Sequence, residues 1–214
     1  MPKTMRMRSI WSVQSLLVAQ LLAMAACTSP EREAPRPPSP PAAPAHGMAQ
    51  SSPEPGFRLP KRSGPRPETS DAPPGTPLAH MQLSQQAPTR MQEQLFLRAA
   101  ALPGVRVAPS GISVPGARAF WLHPEAARGP REAFQVGTEF AHIHPAHDGS
   151  LHMKFPPAMA MQVFQQGWGV PHPRSGTPMV FGPRTPEELE VVWQLLLRSY
   201  AWAQAGQTVG LHVE

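Results

Sequence analysis

Residues 139–155 read EFAHIHPAHDGSLHMKF and hold four of the chain's nine histidines, namely His142, His144, His147 and His152. Two short segments in this stretch alternate apolar and polar residues, as half-buried strands do. The Asp148–Gly149 pair between them is typical of a tight turn. The stretch therefore predicts a β-hairpin, and with it an antiparallel sheet.

Alternation along the hairpin predicts which side chains share a face. On the first strand, Ala141 and Ile143 are expected on one face, with Phe140 and the histidines on the other. On the second strand, the apolar residues are expected together, opposite a polar pair made of His152 and Lys154. A register that keeps both apolar sets in one core places three imidazoles on a single face. These three are His142, His144 and His152.

The rest of residues 81–214 predicts an α+β domain. Apolar residues recur at helical spacing after Thr89, a candidate N-cap, and again after Thr185, where Thr185, Pro186 and Glu188 form a capping signature. Short β-like segments and one more helix lie between these two, separated by Gly and Pro turns. The predicted order is α-β-β-β-β-α-β-α: a small, mostly antiparallel sheet flanked by helices, with a long C-terminal helix.

The N-terminal part of the chain predicts export and a spacer. A basic start and an apolar run are followed by the only cysteine, so residues 1–27 resemble a bacterial lipoprotein signal peptide in which Cys27 is lipidated. Residues 28–80 contain 15 of the 30 prolines and few large apolar side chains. A segment of this composition buries too little apolar surface to offset the conformational entropy that it would lose on folding. It therefore predicts a disordered linker.

The net charge and the predicted signal peptide limit the partners that we expect. The net charge is +5, but residues 81–214 carry ten Lys and Arg against nine Asp and Glu, so nucleic-acid binding is not expected. The expected partners are a bacterial membrane, reached through Cys27, and a small molecule. The expected location is the bacterial cell envelope, lipid-anchored on the periplasmic side or at the outer membrane.

The spacing of the histidines on this face allows three functional interpretations. Three imidazoles on one hairpin can hold a catalytic metal ion. They can also act without metal as general bases or as part of a ligand site, because imidazole titrates near neutral pH. Finally, they can be hydrogen-bonded side chains on a polar sheet face. The spacing leaves all three open.

Five segments taken together resemble the luciferase domain of fungal luciferases and of many bacterial proteins. In order they are LPGV, GTEFAHIHP, DGSLHMKFPP, GWGVPHP and MVFGPRTPEELEVVWQLLLRSY, which span about residues 102–203. Fungal members oxidise a hydroxylated pyrone with O2, and the product loses CO2. These enzymes need no metal and no organic cofactor, and the resemblance implies the same kind of chemistry. Such chemistry requires a general base, cationic or hydrogen-bonding groups that stabilise an oxyanion, and a pocket that excludes water.

The lipoprotein signal and the resemblance together imply a membrane-tethered domain that binds or transforms a small organic molecule, and whether it is an enzyme stays open. His142, His144 and His152 are the candidate catalytic residues. The candidate ligand-binding residues are Lys154, Trp168, His172 and Arg184. Two other functions remain: an envelope interaction module, and a lipoprotein that binds metal through its histidines.

Overall fold

The histidine hairpin lies in the middle of a six-stranded sheet. The computed structural model describes residues 56–70, 80–205 and 212–213. The predicted signal peptide with Cys27, and the predicted linker up to residue 55, lie outside the described residues.

The described elements follow one another as eight strands, three α-helices and a short 3-10 helix. In chain order they are β1 (Arg58–Leu59), α1 (Thr89–Ala100), β2 (Val105–Pro109), β3 (Arg118–Leu122), the 3-10 helix (Arg131–Ala133), β4 (Glu139–Ile143), β5 (Leu151–Met153), α2 (Pro157–Gln165), β6 (Gly169–Pro171), β7 (Pro178–Val180), α3 (Pro186–Ala205) and β8 (His212–Val213).

The main sheet has the strand order β2-β3-β4-β5-β7-β6, and all neighbouring strands are antiparallel. This confirms the α+β class, the antiparallel sheet and the long C-terminal helix. The predicted element order missed β6, a three-residue strand in the GWGVPHP segment that pairs with β7. Two prolines and two glycines dilute the alternation there, so the sequence pattern did not indicate a strand.

All three helices cover one face of the sheet. Cross-strand neighbours share a face, and the pairs of Ala141 with Met153 and of Ile143 with Leu151 point to the helices. These side chains lie in one core cluster with apolar residues of α1, α2 and α3. The opposite face carries His142 and its partner on β5, and no α-helix of the described residues covers it. The sheet therefore separates an apolar core from a histidine face.

Helix α3 anchors the core, and its residues from Val191 to Ala203 are buried on every side. The predicted cap is present at its start, where the backbone N–H of Glu188 donates to Oγ1 of Thr185 at 3.2 Å. At α1 the predicted cap is wrong: Thr89 is the first helical residue, and the N-cap is Pro88, which makes no side-chain cap hydrogen bond. No helix of the described residues is long and apolar enough to span a membrane.

Residues 56–70 form an N-terminal strap that packs on the domain, which corrects the predicted linker of 28–80 in this part. Leu59 lies fully buried in the main core. The carbonyl of Pro60 accepts a hydrogen bond from Nε1 of Trp168 at 2.6 Å. The strap also pairs with the segment before α1, since the N–H of Leu83 donates to the carbonyl of Glu68 at 2.8 Å. Composition predicted disorder from an average, but a few fully buried contacts order the strap.

Candidate functional site

The hairpin has the register that brings the three predicted histidines together. His142 of β4 pairs directly with His152 of β5. The ring centroids of His142 and His144 lie 5.4 Å apart, and each lies 5.2 Å from that of His152. One ring nitrogen from each residue lies within 4.8 Å of the others. All three side chains are buried, so they form one compact cluster, which we call the triad.

A β-bulge beside the triad places a carboxylate on the histidine face. Trp121 pairs with Glu139, whereas its neighbour Phe120 pairs with Ala141, so Phe140 is an extra residue on β4. Strict alternation would put Glu139 and His142 on opposite faces, and the bulge resets the alternation between them. Phe140 turns into the core, 5.9 Å from the ring of Tyr200. Its predicted place beside the histidines is therefore wrong.

Two buried carboxylates hold two triad rings by their Nδ1 atoms. Oε1 of Glu139 lies 2.7 Å from Nδ1 of His142, and Oδ2 of Asp148 lies 2.6 Å from Nδ1 of His144. An ionised carboxylate only accepts hydrogen bonds, so Nδ1 carries the proton and Nε2 keeps its lone pair. Nε2 of His142 is buried and has no hydrogen-bond partner among the described residues.

The carboxylates are themselves fixed by other donors. Glu139 accepts hydrogen bonds from the hydroxyl of Ser110 at 2.8 Å and from the backbone N–H of Gly111 at 2.9 Å. Asp148 accepts the backbone N–H of Ser150 at 3.0 Å within the hairpin turn. Each ring orientation is therefore determined by a chain of hydrogen bonds that ends on the backbone.

Burial favours the neutral form of two triad imidazoles, His142 and His152. It lowers the pKa of His142, an effect that the hydrogen bond to Glu139 offsets only in part. Burial and the neighbouring imidazoles lower the pKa of His152 well below its usual value. Burial works against the ionised form of Asp148, yet its hydrogen bonds with His144 and Ser150 bring its pKa below the usual value. The resulting site pairs neutral imidazoles with an ionised carboxylate.

Two more histidines extend the cluster, and one of them was not expected. The ring centroid of His172, a predicted site residue, lies 5.6 Å from that of His152. His80 lies 5.5 Å from His152 and 5.2 Å from His172. His80 is the last residue of the predicted linker and was not among the predicted site residues. Its distance along the chain from the hairpin left no pattern that could reveal the contact.

His172 differs from the triad in the hydrogen-bonding group that it offers. Nδ1 of His172 lies 3.2 Å from the backbone N–H donor of Arg174 and 3.3 Å from that of Ser175. Nδ1 therefore accepts, and the neutral ring carries its proton on Nε2. His172 is thus a hydrogen-bond donor, whereas the rings of His142 and His144 present lone pairs.

A cavity of about 800 Å³ lies over the triad. All five histidines line it, together with an apolar wall formed by Ile112, Val114, Pro115 and Phe134. Its charged lining residues are Arg131, Lys154, Arg174 and Glu132. Lys154 is half-buried, and this burial, together with the positive charge of Arg131, lowers its pKa. The size and mixed lining are those of a site for a small organic molecule.

Two of the predicted ligand-binding residues do not line this cavity. Arg184 donates to the carbonyl of Ser63 at 2.9 Å and to Oε1 of Gln85 at 2.8 Å, and it pairs with Glu188. Trp168 is buried and donates to the strap. The structure places both side chains where they fasten the strap to the domain.

The chain is similar to known proteins over the part that holds this site. A family model described as the luciferase domain matches residues 137–199. The luciferase of Armillaria mellea is 27% identical over 179 residues, which cover 71% of this chain and 64% of that protein. The luciferases of Armillaria gallica and Armillaria ostoyae are also 27% identical, over 169 residues, 67% of this chain and 60% of each protein.

The chain thus spans less than two thirds of the length of these relatives. No solved structure matches it. The matched segment includes the hairpin, its two carboxylates and His172, but neither His80 nor the strap. Residues 137–199, which hold four of the five cavity histidines, are therefore similar to the luciferase domain family.

Proposed function

We propose that the domain binds a small, acidic organic molecule in the cavity and oxidises it with O2. The observation that carries the proposal is a cavity floor of buried imidazoles beneath a cationic rim. Burial lowers the pKa of two of them, His142 and His152, which favours their neutral form. The similarity to luciferases supports the same class of chemistry. The molecule is expected to be an enol or phenol, because only an ionisable hydroxyl uses both the floor and the rim.

The floor favours loss of a proton from the bound molecule. Neutral imidazoles with an unshared lone pair accept protons, and a fixed general base contributes about 10²–10⁴-fold to a rate. The carboxylates behind His142 and His144 stabilise the positive charge that forms on a ring after it accepts a proton. An enolate reacts with O2 much more readily than the neutral enol does, so this step prepares the molecule for oxidation.

The rim favours the anion that results. Lys154, Arg131 and Arg174 carry three positive charges against the single carboxylate of Glu132. Nε2 of His172 adds a neutral donor, because its Nδ1 is occupied by backbone N–H groups. Fixed donors in a site that excludes water stabilise a developing oxyanion strongly. The apolar wall then holds the ring of an aromatic or pyrone-like molecule.

The test is binding and O2 uptake with a hydroxylated pyrone. The wild-type chain is expected to consume O2 without an added reductant, followed with an oxygen electrode. Lys154→Met is expected to weaken binding of the pyrone about tenfold, which corresponds to about 1.4 kcal/mol. The methyl ether of the same pyrone, which forms no anion, is expected to bind both chains equally.

His147→Ala is the matched control, because His147 lies exposed in the hairpin loop and does not line the cavity. It is expected to leave both binding and O2 uptake unchanged. Equal affinity for the hydroxyl and methyl-ether forms, together with no O2 uptake, would contradict the proposal.

We further propose that the chain is a lipoprotein of the bacterial cell envelope, tethered to a membrane through Cys27. The basic start, the apolar run and the lone cysteine after two alanines support this. In cells supplied with a fatty-acid analogue, the wild-type chain is expected to become labelled, and Cys27→Ser is not. Equal labelling of the two chains would rule out this anchor.

A further inference from the structure

We propose that the triad of His142, His144 and His152 binds one divalent transition-metal ion, with Glu139 and Asp148 as its outer-shell carboxylates. Nothing in the similarity to luciferases implies this site, and the resemblance found in the sequence implies chemistry without metal. The inference goes beyond the proposed function and does not depend on which molecule the cavity takes.

The first support is an orphaned lone pair. Nδ1 of His142 is occupied by Glu139, which leaves Nε2 as an acceptor. This nitrogen is buried and has no hydrogen-bond partner among the described residues. A buried polar atom left unsatisfied costs about 1–3 kcal/mol. A cation bound to this nitrogen would satisfy it.

The second support is the spacing of three ring nitrogens, one from each histidine of the triad. They lie within 4.8 Å of one another. Imidazole nitrogens bind Zn²⁺ at about 2.0–2.1 Å, which in a tetrahedral site sets them about 3.3 Å apart. Each ring therefore needs to move by less than about 1 Å to share one ion. Rotation of side chains is sufficient for such a shift, and the hairpin backbone stays in place.

The third support is the outer shell. Histidines that bind metals commonly donate their second ring nitrogen to a carboxylate, which fixes the tautomer and the ring orientation. Glu139 and Asp148 make this contact at 2.7 and 2.6 Å. Both carboxylates are fully buried. Each carboxylate therefore lies where the outer-shell partner of a metal-bound histidine lies.

The cavity gives the ion an open side. The triad lines the cavity floor, so a bound ion would have protein ligands below and the cavity above. Three protein ligands and one open position are the arrangement of catalytic rather than structural zinc sites. Imidazole ligands also suit Fe²⁺, Co²⁺ and Cu²⁺. With an ion bound, the lone pairs that the metal-free triad offers to a proton would be occupied. The ion itself would then act on the acidic molecule as a Lewis acid that holds its anionic oxygen.

The test is titration of the full, tag-free chain with Zn²⁺ after removal of metal with a chelator. Calorimetry in competition with a chelator of known affinity is expected to give one tight site per chain. Co²⁺ is expected to give the intense visible absorption of a four- or five-coordinate ion. His152→Ala is expected to weaken Zn²⁺ binding by at least about 1,000-fold, and Glu139→Gln by about 10–100-fold.

Two controls separate the site from general imidazole binding. His147→Ala and His123→Ala remove exposed histidines and are expected to leave the affinity unchanged. If His152→Ala does not fold by circular dichroism, Glu139→Gln decides the question. A stoichiometry other than one, or equal affinities for Glu139→Gln and the wild type, would overturn the proposal. Because the assay contains no pyrone, its failure leaves the proposed oxidation standing, and failure of the O2 assay leaves the metal site standing.

Discussion

Replacing Leu59 by alanine is expected to lower the free energy of unfolding by about 2–5 kcal/mol, the range for truncating a buried leucine. Leu59 belongs to the strap, yet it is fully buried in the main core with residues of all three helices. Truncation would leave a cavity between the strap and the domain, so both the transfer free energy and the packing around it are lost. Urea unfolding followed by circular dichroism measures the change.

Leu97→Ala is the matched control. Leu97 lies on the outer face of α1 and is 64% exposed, so the same truncation removes little buried surface. Its cost is expected to stay within about 0.5 kcal/mol. Equal losses for the two variants would mean that the strap does not contribute to the core.

The strap also decides where the folded domain begins. A chain that starts at Met81 lacks Leu59, the carbonyl of Pro60 that pairs with Trp168, and the partners of Arg184 in the strap. The boundary predicted at residue 81 therefore cuts through the packed domain. A fragment for solution work should start before residue 56.

Gly149→Ala is expected to destabilise the domain by about 3 kcal/mol. Gly149 has φ +71°, a left-handed conformation that costs other residues about 1–2 kcal/mol. An added Cβ would also lie 2.5 Å from Nε2 of Gln92. That amide donates to the carbonyls of Ala87 and Ala146 at 2.8 and 2.9 Å, so displacing it breaks two hydrogen bonds. Thermal and urea unfolding measure the loss.

Gly176→Ala isolates the steric part of this effect. Gly176 has φ +66°, close to that of Gly149, but nothing lies within 4 Å of its added Cβ. It is expected to lose only the backbone cost of about 1 kcal/mol. If both variants lose the same free energy, the contact with Gln92 does not hold the turn. Because the turn carries Asp148, the position of His144 depends on this contact.

The histidine hairpin and helix α3 could be predicted from the sequence, because residues close together in the chain encode them. The alternation around the Asp148–Gly149 turn placed His142, His144 and His152 on one face, and the structure has this arrangement. The cap at Thr185 and the helical periodicity after it predicted α3. Such signals are local, since each depends on residues a few positions apart, and the core that selects between registers reinforces them.

Much of what surrounds those histidines depends on strand pairing and on contacts between residues that are distant in the chain. The bulge at Phe140 depends on how β4 pairs with β3, and it alone brings Glu139 to His142. His80 reaches the triad across a long stretch of chain that contains no pattern for the contact. The strap folds although its composition predicts disorder, because burial of Leu59 depends on the surface it meets and not on the average of its neighbours. Local patterns placed the imidazoles and Asp148, and long-range packing supplied Glu139, His80 and the cavity around them.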